Sequence, residues 1–294
     1  MPGMTRGRRL VRVPLGATIA AVTLLSCAAG VTPDTEHLPA HKGSPSPDAR
    51  TTLTAPRSQE PAPTAAPVVR RGKPLAGRTV GIDPGHNGGN ASHPAYINHK
   101  IWNGREYENC NTTGTATNGG YPEYRFTWRV ATDLRRDLHR EGAHVVMTHH
   151  NDHGVGPCVN KRARIINRAH ADVGIDIHGD GGPSSGRGFA VLEPVRDKEN
   201  RHVIGRSAKF GHILRRQLLR RTSMPTSTYD GRRGITHRND LAGLNLTRVP
   251  LVLIESGNMR NATDAALMTS SHFQHRLAKA FAAAITRFVL RHRS

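Results

Sequence analysis

The feature that most constrains the fold is an alternation, from Gly77 onward, of short β-branched runs with longer segments of helical periodicity. In EYRFTWRVATDLRRDLHREG, apolar residues recur every four positions from Phe126 to Leu138, and Gly142 is a typical helix stop. PLVLIES at 250–256 is a continuous apolar run, as expected for a strand buried on both faces. Strands that alternate with helices predict one α/β domain, 77–294, with a mostly parallel sheet.

The individual elements follow from the same patterns. The predicted strands are 78–83, 144–149, 173–178, 188–193 and 250–256, and the predicted helices are 123–142, 159–171, about 199–221 and about 272–291. The segment from Asn90 to Pro122 is polar and rich in Gly, Asn and Thr. Loops of this length in compact domains are mostly functional or disordered, and both interpretations stay open for this segment.

The first 26 residues have the pattern of a secretory signal. Four arginines and no acidic residue precede an apolar run from Val13 to Ser26, which is shorter than the ~20 residues of a membrane-spanning helix. Leu24-Leu25-Ser26-Cys27 resembles a bacterial lipobox, which would make an acylated Cys27 the mature N-terminus; an ordinary signal peptide is the alternative. Residues 27–76 are rich in Pro, Ala, Thr and Ser and predict a disordered tether.

Export to the cell envelope determines how the cysteines and the charge are interpreted. With Cys27 set aside, Cys110 and Cys158 form an even pair in an oxidising compartment, and we predict a disulfide between them. The formal net charge is +20, yet aromatic residues make up only 4% of the chain and no nucleic-acid motif is present. An anionic cell envelope is therefore the expected partner rather than nucleic acid.

Four polar residues fall where the predicted strands end or a helix begins. His86 follows the first strand in VGIDPGHNGGN, His178 ends VGIDIH, Glu255 ends PLVLIE, and Glu123 opens the first long helix. Ligands of open α/β sheets bind at the carboxyl ends of the strands, so these side chains are expected to meet at one edge of the sheet.

Two histidines and one carboxylate are a common ligand set for catalytic zinc, with a fourth position left for water. The remaining carboxylate would be the general base that moves the proton to the leaving nitrogen. Glu255 follows an apolar run, which would raise its pKa and suit it to that role, whereas Glu123 at a polar helix start suits metal ligation. This division between the two carboxylates is only modestly favoured by the residues alone.

Each residue taken singly also has a structural explanation. Glu123 could be an acid favoured by the helix dipole, and His178 could be a hydrogen-bonded residue at a strand end. The sequence has no HExxH motif, which argues against thermolysin-like peptidases. The run 149–153, which contains three histidines, is a weaker candidate metal cluster. Four further polar residues could support the site but cannot be ranked: Asp176, Asp180, Asp240 and Asn258.

Four separated motifs, in order, carry a family resemblance: GIDPGHNGG, PEYRFTW, DIHGDGG and LIESGNM. They resemble the zinc-dependent N-acetylmuramoyl-L-alanine amidases of the amidase-3 family, in particular the exported mycobacterial enzymes, over about residues 78–288. The resemblance implies a twisted mixed sheet flanked by helices. It also implies hydrolysis of the amide between N-acetylmuramic acid and L-alanine of peptidoglycan. Carried over, the zinc ligands are His86, Glu123 and His178, and the catalytic residue is Glu255.

The expectation is thus an exported, lipid-anchored zinc amidase that acts as a monomer on peptidoglycan. Two alternatives remain at this point: a zinc peptidase that cuts within the stem peptide, and a non-catalytic envelope-binding lipoprotein of the same fold. The long segment between His86 and Glu123 departs from many family members, in which it is shorter.

Overall fold

The computed structural model describes residues 72–292 of the 294-residue chain. The predicted signal, Cys27 and nearly all of the predicted tether lie outside the described residues. Leu75, close to the start of the described part, is fully buried, and its amide N–H donates to the carbonyl of Glu141 at 2.9 Å. Within this part of the chain, no helix is long and apolar enough to cross a membrane.

A six-stranded sheet forms the centre of the fold. Its strands are β1 (Thr79–Pro84), β4 (His144–Met147), β5 (Val173–Asp180), β6 (Ala190–Pro194), β7 (Ile235–Arg238) and β8 (Leu251–Asn258). They lie in the order β4-β1-β5-β8-β6-β7, and every neighbouring pair is parallel except the antiparallel β6 and β8. The predicted α/β fold with a mostly parallel, mixed sheet is therefore confirmed.

Helices cover both faces of this sheet. The longer helices are α2 (Glu123–Arg140), α3 (Val159–Arg168), α4 (Ile204–Arg221), α6 (Ala262–Thr269) and α7 (Ser271–Arg291), and the short ones are α1 (Pro94–Ile97) and α5 (Ala242–Asn245). Helices α2, α4 and α7 pack on one face and α3 and α5 on the other. Along β8, Val252 and Ile254 join the larger core while Leu251 and Leu253 join the smaller one, as expected for a central strand buried on both faces.

The main elements of the sequence prediction are present, with shifted ends. Both β5 and β8 continue beyond the predicted ends, so His178 and Glu255 lie within strands rather than at their last residues. The edge strand β7 and helices α5 and α6 were not predicted. Strand β7 is only four residues long and carries Thr, His and Arg, so no apolar run distinguishes it from a loop.

The polar segment between β1 and α2 is more ordered than a loop. It contains a 3-10 turn at Asn90–Ser92, helix α1, and a hairpin of β2 (Lys100–Trp102) and β3 (Tyr107–Asn109). The predicted disulfide between Cys110 and Cys158 is present and buried, and it ties the residue that follows β3 to the residue that precedes α3.

Candidate metal centre

The three side chains predicted as metal ligands meet at one point. His86 lies in the turn after β1, Glu123 is the first residue of α2, and His178 lies in β5. One ligand atom from each lies within 4.8 Å of the others. The Nε2 atom of His86 is 3.0 Å from Oε2 of Glu123, and the Nδ1 atom of His178 is 2.9 Å from Oε1.

These separations fit a tetrahedral metal. Two ligand atoms with bonds of about 2.0–2.1 Å to one zinc ion lie roughly 3.3 Å apart at tetrahedral angles. The donor set of two imidazoles and one carboxylate matches the ligands that zinc uses in catalytic sites. The three residues are therefore candidate ligands of suitable chemistry, with ligand atoms close enough to share one ion.

Neighbouring groups determine which nitrogen of each histidine faces the centre. For His86, Nδ1 lies 3.2 Å from the carbonyl oxygen of Thr112, which leaves Nε2 directed to Glu123. For His178, Nε2 lies 3.2 Å from Oδ1 of Asp176, which leaves Nδ1 for the centre. A carbonyl or carboxylate behind the ligating histidine is the usual arrangement in zinc proteins, because it sets the tautomer and the ring orientation.

Backbone amides hold the carboxylate in the same way. The N–H of Thr115 donates to Oε2 of Glu123 at 2.9 Å, and the N–H of Gly179 donates to Oε1 at 3.1 Å. Burial raises the pKa of this carboxyl, but the imidazoles of His86 and His178 outweigh it and hold the pKa below its usual range. The shift favours the ionised form of Glu123, which is the form in which a carboxyl group binds a metal.

Glu255 lies beside this centre without belonging to it. It pairs in register with His178 across β5 and β8, and both residues line one cavity of about 370 Å³. Within the described part of the chain, its Oε2 atom is buried and has no hydrogen-bond partner. Burial raises the pKa of this carboxyl well above its ordinary value; His178 opposes the shift, and the nearby carboxylate of Glu123 adds to it. The two carboxyls thus have opposite shifts, a pattern typical of a division between ligand and proton carrier.

The segment between β1 and α2 supplies part of the site, which sequence patterns could not show. Thr112 contacts His86 through its carbonyl and its hydroxyl, and Thr115 contacts Glu123 through its backbone N–H. Gly114 has a φ of +75°, and a Cβ there would lie 2.7 Å from Oε2 of Glu123. This close approach accounts for glycine at that position.

The remaining predicted residues take other roles. The hydroxyl of Tyr229 donates to Asp180 at 2.6 Å, Arg238 pairs with Asp240 through two nitrogens, and Asn258 donates to the carbonyls of Pro183 and Gly186. Of the four unranked residues, only Asp176 contacts a candidate ligand directly.

Neither of two further groups forms a second metal site. His149, from the histidine-rich run 149–153, stacks on Trp128, and its two ring nitrogens lie against backbone carbonyls. His99 lies near Cys110 and Cys158, but those sulfur atoms are bonded to each other and are not free thiolates.

A His/Glu/His donor set beside a buried carboxyl, at one edge of a mostly parallel α/β sheet, is typical of metal-dependent hydrolases. Residues 80–287 match the family model for N-acetylmuramoyl-L-alanine amidase, Amidase_3, and the chain belongs to this family of cell-wall hydrolases.

Individual relatives agree with that assignment. The chain is 40% identical over 216 residues to N-acetylmuramoyl-L-alanine amidase Rv3717 of Mycobacterium tuberculosis, covering 73% of this chain and 88% of the relative. The structure of the amidase Ami1 of Mycobacterium smegmatis aligns with a TM-score of 0.69 at 40% identity, over 73% of this chain and 98% of that one. The apo form of Ami1 from Mycobacterium abscessus gives a TM-score of 0.69 at 41% identity, over 73% and 100%.

Proposed function

We propose that this chain is a zinc-dependent amidase that hydrolyses the bond between the lactyl group of N-acetylmuramic acid and the L-alanine of the peptidoglycan stem peptide. His86, Glu123 and His178 hold the zinc, and Glu255 moves the proton. The observation that carries this proposal is the convergence of three ligand side chains beside a buried carboxyl with an unpartnered oxygen.

Each residue has a defined task in the reaction. A bound zinc ion supplies the positive charge that polarises the amide carbonyl and lowers the pKa of the attacking water. Glu255 takes the proton from that water and delivers it to the nitrogen of the departing alanine. Asp176 and the Thr112 carbonyl keep the two imidazoles oriented, so their ligand nitrogens do not turn away.

The proposal is tested by mass spectrometry of muropeptides after incubation with the protein, with and without a chelator. An amidase releases stem peptides with a free L-alanine amino terminus and leaves the intact sugar. A peptidase acting within the stem would instead leave L-alanine on the sugar, and that product would refute the proposed bond.

Two variants separate metal binding from proton transfer. Glu255→Gln keeps the shape of the side chain, so we expect full zinc occupancy and turnover reduced about 10²–10⁴-fold, the usual contribution of a general base. His86→Ala should lose zinc instead. Near-normal hydrolysis by Glu255→Gln would refute its role, and full zinc occupancy in His86→Ala would refute ligation.

We also propose that the enzyme is exported and acts as a monomer at the cell envelope. Residues 1–26 would be the signal peptide, Cys27 a lipid anchor, 27–76 a tether and 77–294 the catalytic domain. The basic head, short apolar run and lipobox-like residues of the sequence support export, and a buried disulfide suits an oxidising compartment. Cells labelled with a radioactive fatty acid should incorporate label into the wild-type protein but not into Cys27→Ala. An unlabelled wild-type protein would refute the anchor.

A further inference from the structure

The turn that carries His86 has an unfavourable backbone conformation. His86 has a φ of +65°, in the left-handed region that residues other than glycine rarely adopt. In the described part of the chain only His170 and Arg233 share this feature, and neither lies at the metal centre. Glycine would relieve the strain but would remove the imidazole, so the surrounding structure has to hold a histidine in this conformation.

Buried side chains from two helices donate hydrogen bonds to the carbonyl groups of Pro84, Gly85 and His86, the three consecutive residues that form this turn. Nη1 of Arg162 donates to the Pro84 carbonyl at 2.6 Å, and Nη2 donates to the His86 carbonyl at 2.7 Å. The hydroxyl of Thr127 donates to the Gly85 carbonyl at 2.8 Å. Arg162 belongs to α3 and Thr127 to α2, so the turn is held between elements on opposite faces of the sheet.

The contact with this turn requires Arg162 to bury its positive charge. Its side chain is only 2% exposed, whereas Arg164 and Arg168 on the same helix are exposed. The Asp83 carboxylate accepts from Nη1 at 2.7 Å, and the Pro157 carbonyl accepts from Nε at 2.9 Å. A buried ion pair is weak support for stability by itself, because desolvation offsets most of the attraction. The clearer consequence of the pair between Arg162 and Asp83 is that it holds the guanidinium in one orientation, with its N–H groups directed at the carbonyls of the turn.

We infer that Arg162 and Thr127 are positioning residues that hold His86 in its left-handed conformation and thereby set the affinity of the centre for its metal. The inference rests on the proposed ligation by His86. Neither side chain is a ligand, and their hydrogen bonds end on backbone carbonyls rather than on the imidazole. Loss of either one lets the turn relax toward a negative φ, which rotates the imidazole away from Glu123 and His178.

The affinity for zinc tests this inference directly and does not depend on turnover. Each variant is freed of metal and titrated with zinc in competition with a chromophoric chelator. Thr127→Val removes the hydroxyl but keeps the branched shape, and we expect zinc to bind about tenfold more weakly. Thr127→Ser restores the hydroxyl and should bind within threefold of the wild type. Arg162→Lys keeps the charge but lacks the two guanidinium nitrogens that donate to separate carbonyls, and should weaken zinc binding at least tenfold.

Two controls separate positioning from a general loss of stability. Thr132 lies on the same helix as Thr127, and its buried hydroxyl has no partner in the described part of the chain, so Thr132→Val is a matched substitution. Arg78 pairs with Asp172 at 2.9 Å at the opposite end of β1 from His86, so Arg78→Lys perturbs an arginine–aspartate pair away from the turn. Both controls should bind zinc within threefold of the wild type.

The outcomes distinguish this inference from the proposed function. A wild-type protein that binds no zinc would overturn both. Tight binding by the wild type with unchanged affinity in Thr127→Val would overturn only the positioning role, as would an equal loss of affinity in Thr132→Val. If Arg162→Lys does not fold, the comparison of Thr127→Val with Thr127→Ser decides.

Discussion

Glu193 makes the stability of this protein depend on pH in a direction that can be calculated. The residue lies in β6 and is 3% exposed. Within the described residues, its Oε1 atom is buried without a hydrogen-bond partner and faces Gly211 of α4, where any Cβ would collide with it. The nearest basic group is the largely exposed imidazole of His237, 3.6 Å from Oε2. Burial raises the pKa of this carboxyl from 4.5 to about 7.

The direction of the pH dependence follows from which state of the protein, folded or unfolded, binds the Glu193 proton more tightly. Between pH 4.5 and about 7 the folded protein keeps the Glu193 proton that the unfolded chain has lost, so stability falls as the pH rises through this window. A shift of this size corresponds to about 3 kcal/mol at 1.36 kcal/mol per pKa unit. Water near the exposed His237 reduces the effect, so we expect about 2 kcal/mol.

Glu193→Gln tests this calculation, because glutamine has nearly the same shape and never ionises. The free energy of unfolding is measured by urea titration of both proteins at pH 5 and pH 8.5. The variant should be more stable than the wild type by less than about 1 kcal/mol at pH 5 and by about 2 kcal/mol at pH 8.5, since other titrating groups largely cancel in the comparison. Glu106→Gln, at an exposed glutamate, is the matched control substitution. An equal difference at both pH values, or a less stable variant at pH 8.5, would refute the reasoning.

Three further predictions concern the site and its support. Replacing Cys110 and Cys158 by serine opens a loop of 48 residues and should lower the free energy of unfolding by about 4 kcal/mol in urea titrations; a change below about 1 kcal/mol would contradict it. Gly85→Ala places a Cβ 2.6 Å from both ring nitrogens of His178, so zinc per chain by elemental analysis should fall, whereas Gly205→Ala, where nothing lies within 4 Å, should leave it unchanged. Free zinc at 100 times its Kd should raise the unfolding free energy of chelator-treated protein by about 3 kcal/mol; the same response in His86→Ala would count against ligation by that residue.

Features that depend on local sequence pattern could be predicted from the sequence, whereas features that depend on contacts between distant residues could not. Helix α2 and strand β8 could be predicted because the pattern of apolar residues within each segment is visible in the sequence. The meeting of His86, Glu123 and His178 also followed, since strand ends of a parallel sheet share one edge whatever the details of packing. The pairing of Cys110 with Cys158 required only that the chain be exported and that two cysteines remain.

Other features depend on contacts between residues far apart in the chain. Helical spacing places Arg162 on the same face as Ala163 and Ile166, but its partner Asp83 is 79 positions away, so VNKRARIINR does not show what the guanidinium contacts. Strand β7 pairs in parallel with β6 at the edge of the sheet, and its four residues are too few for a sequence pattern to show that pairing. The backbone groups of Thr112 and Thr115 reach the centre only once the disulfide and the hairpin have shaped the segment that carries them.

The sequence by itself thus determined the type of fold, the bridge and the candidate ligand set, because each follows from local periodicity or from residue chemistry. Tertiary structure alone decided which carbonyls and carboxylates orient those ligands, and which buried groups hold His86 in a strained conformation. Those choices depend on three-dimensional distances between distant segments, which a linear pattern does not contain.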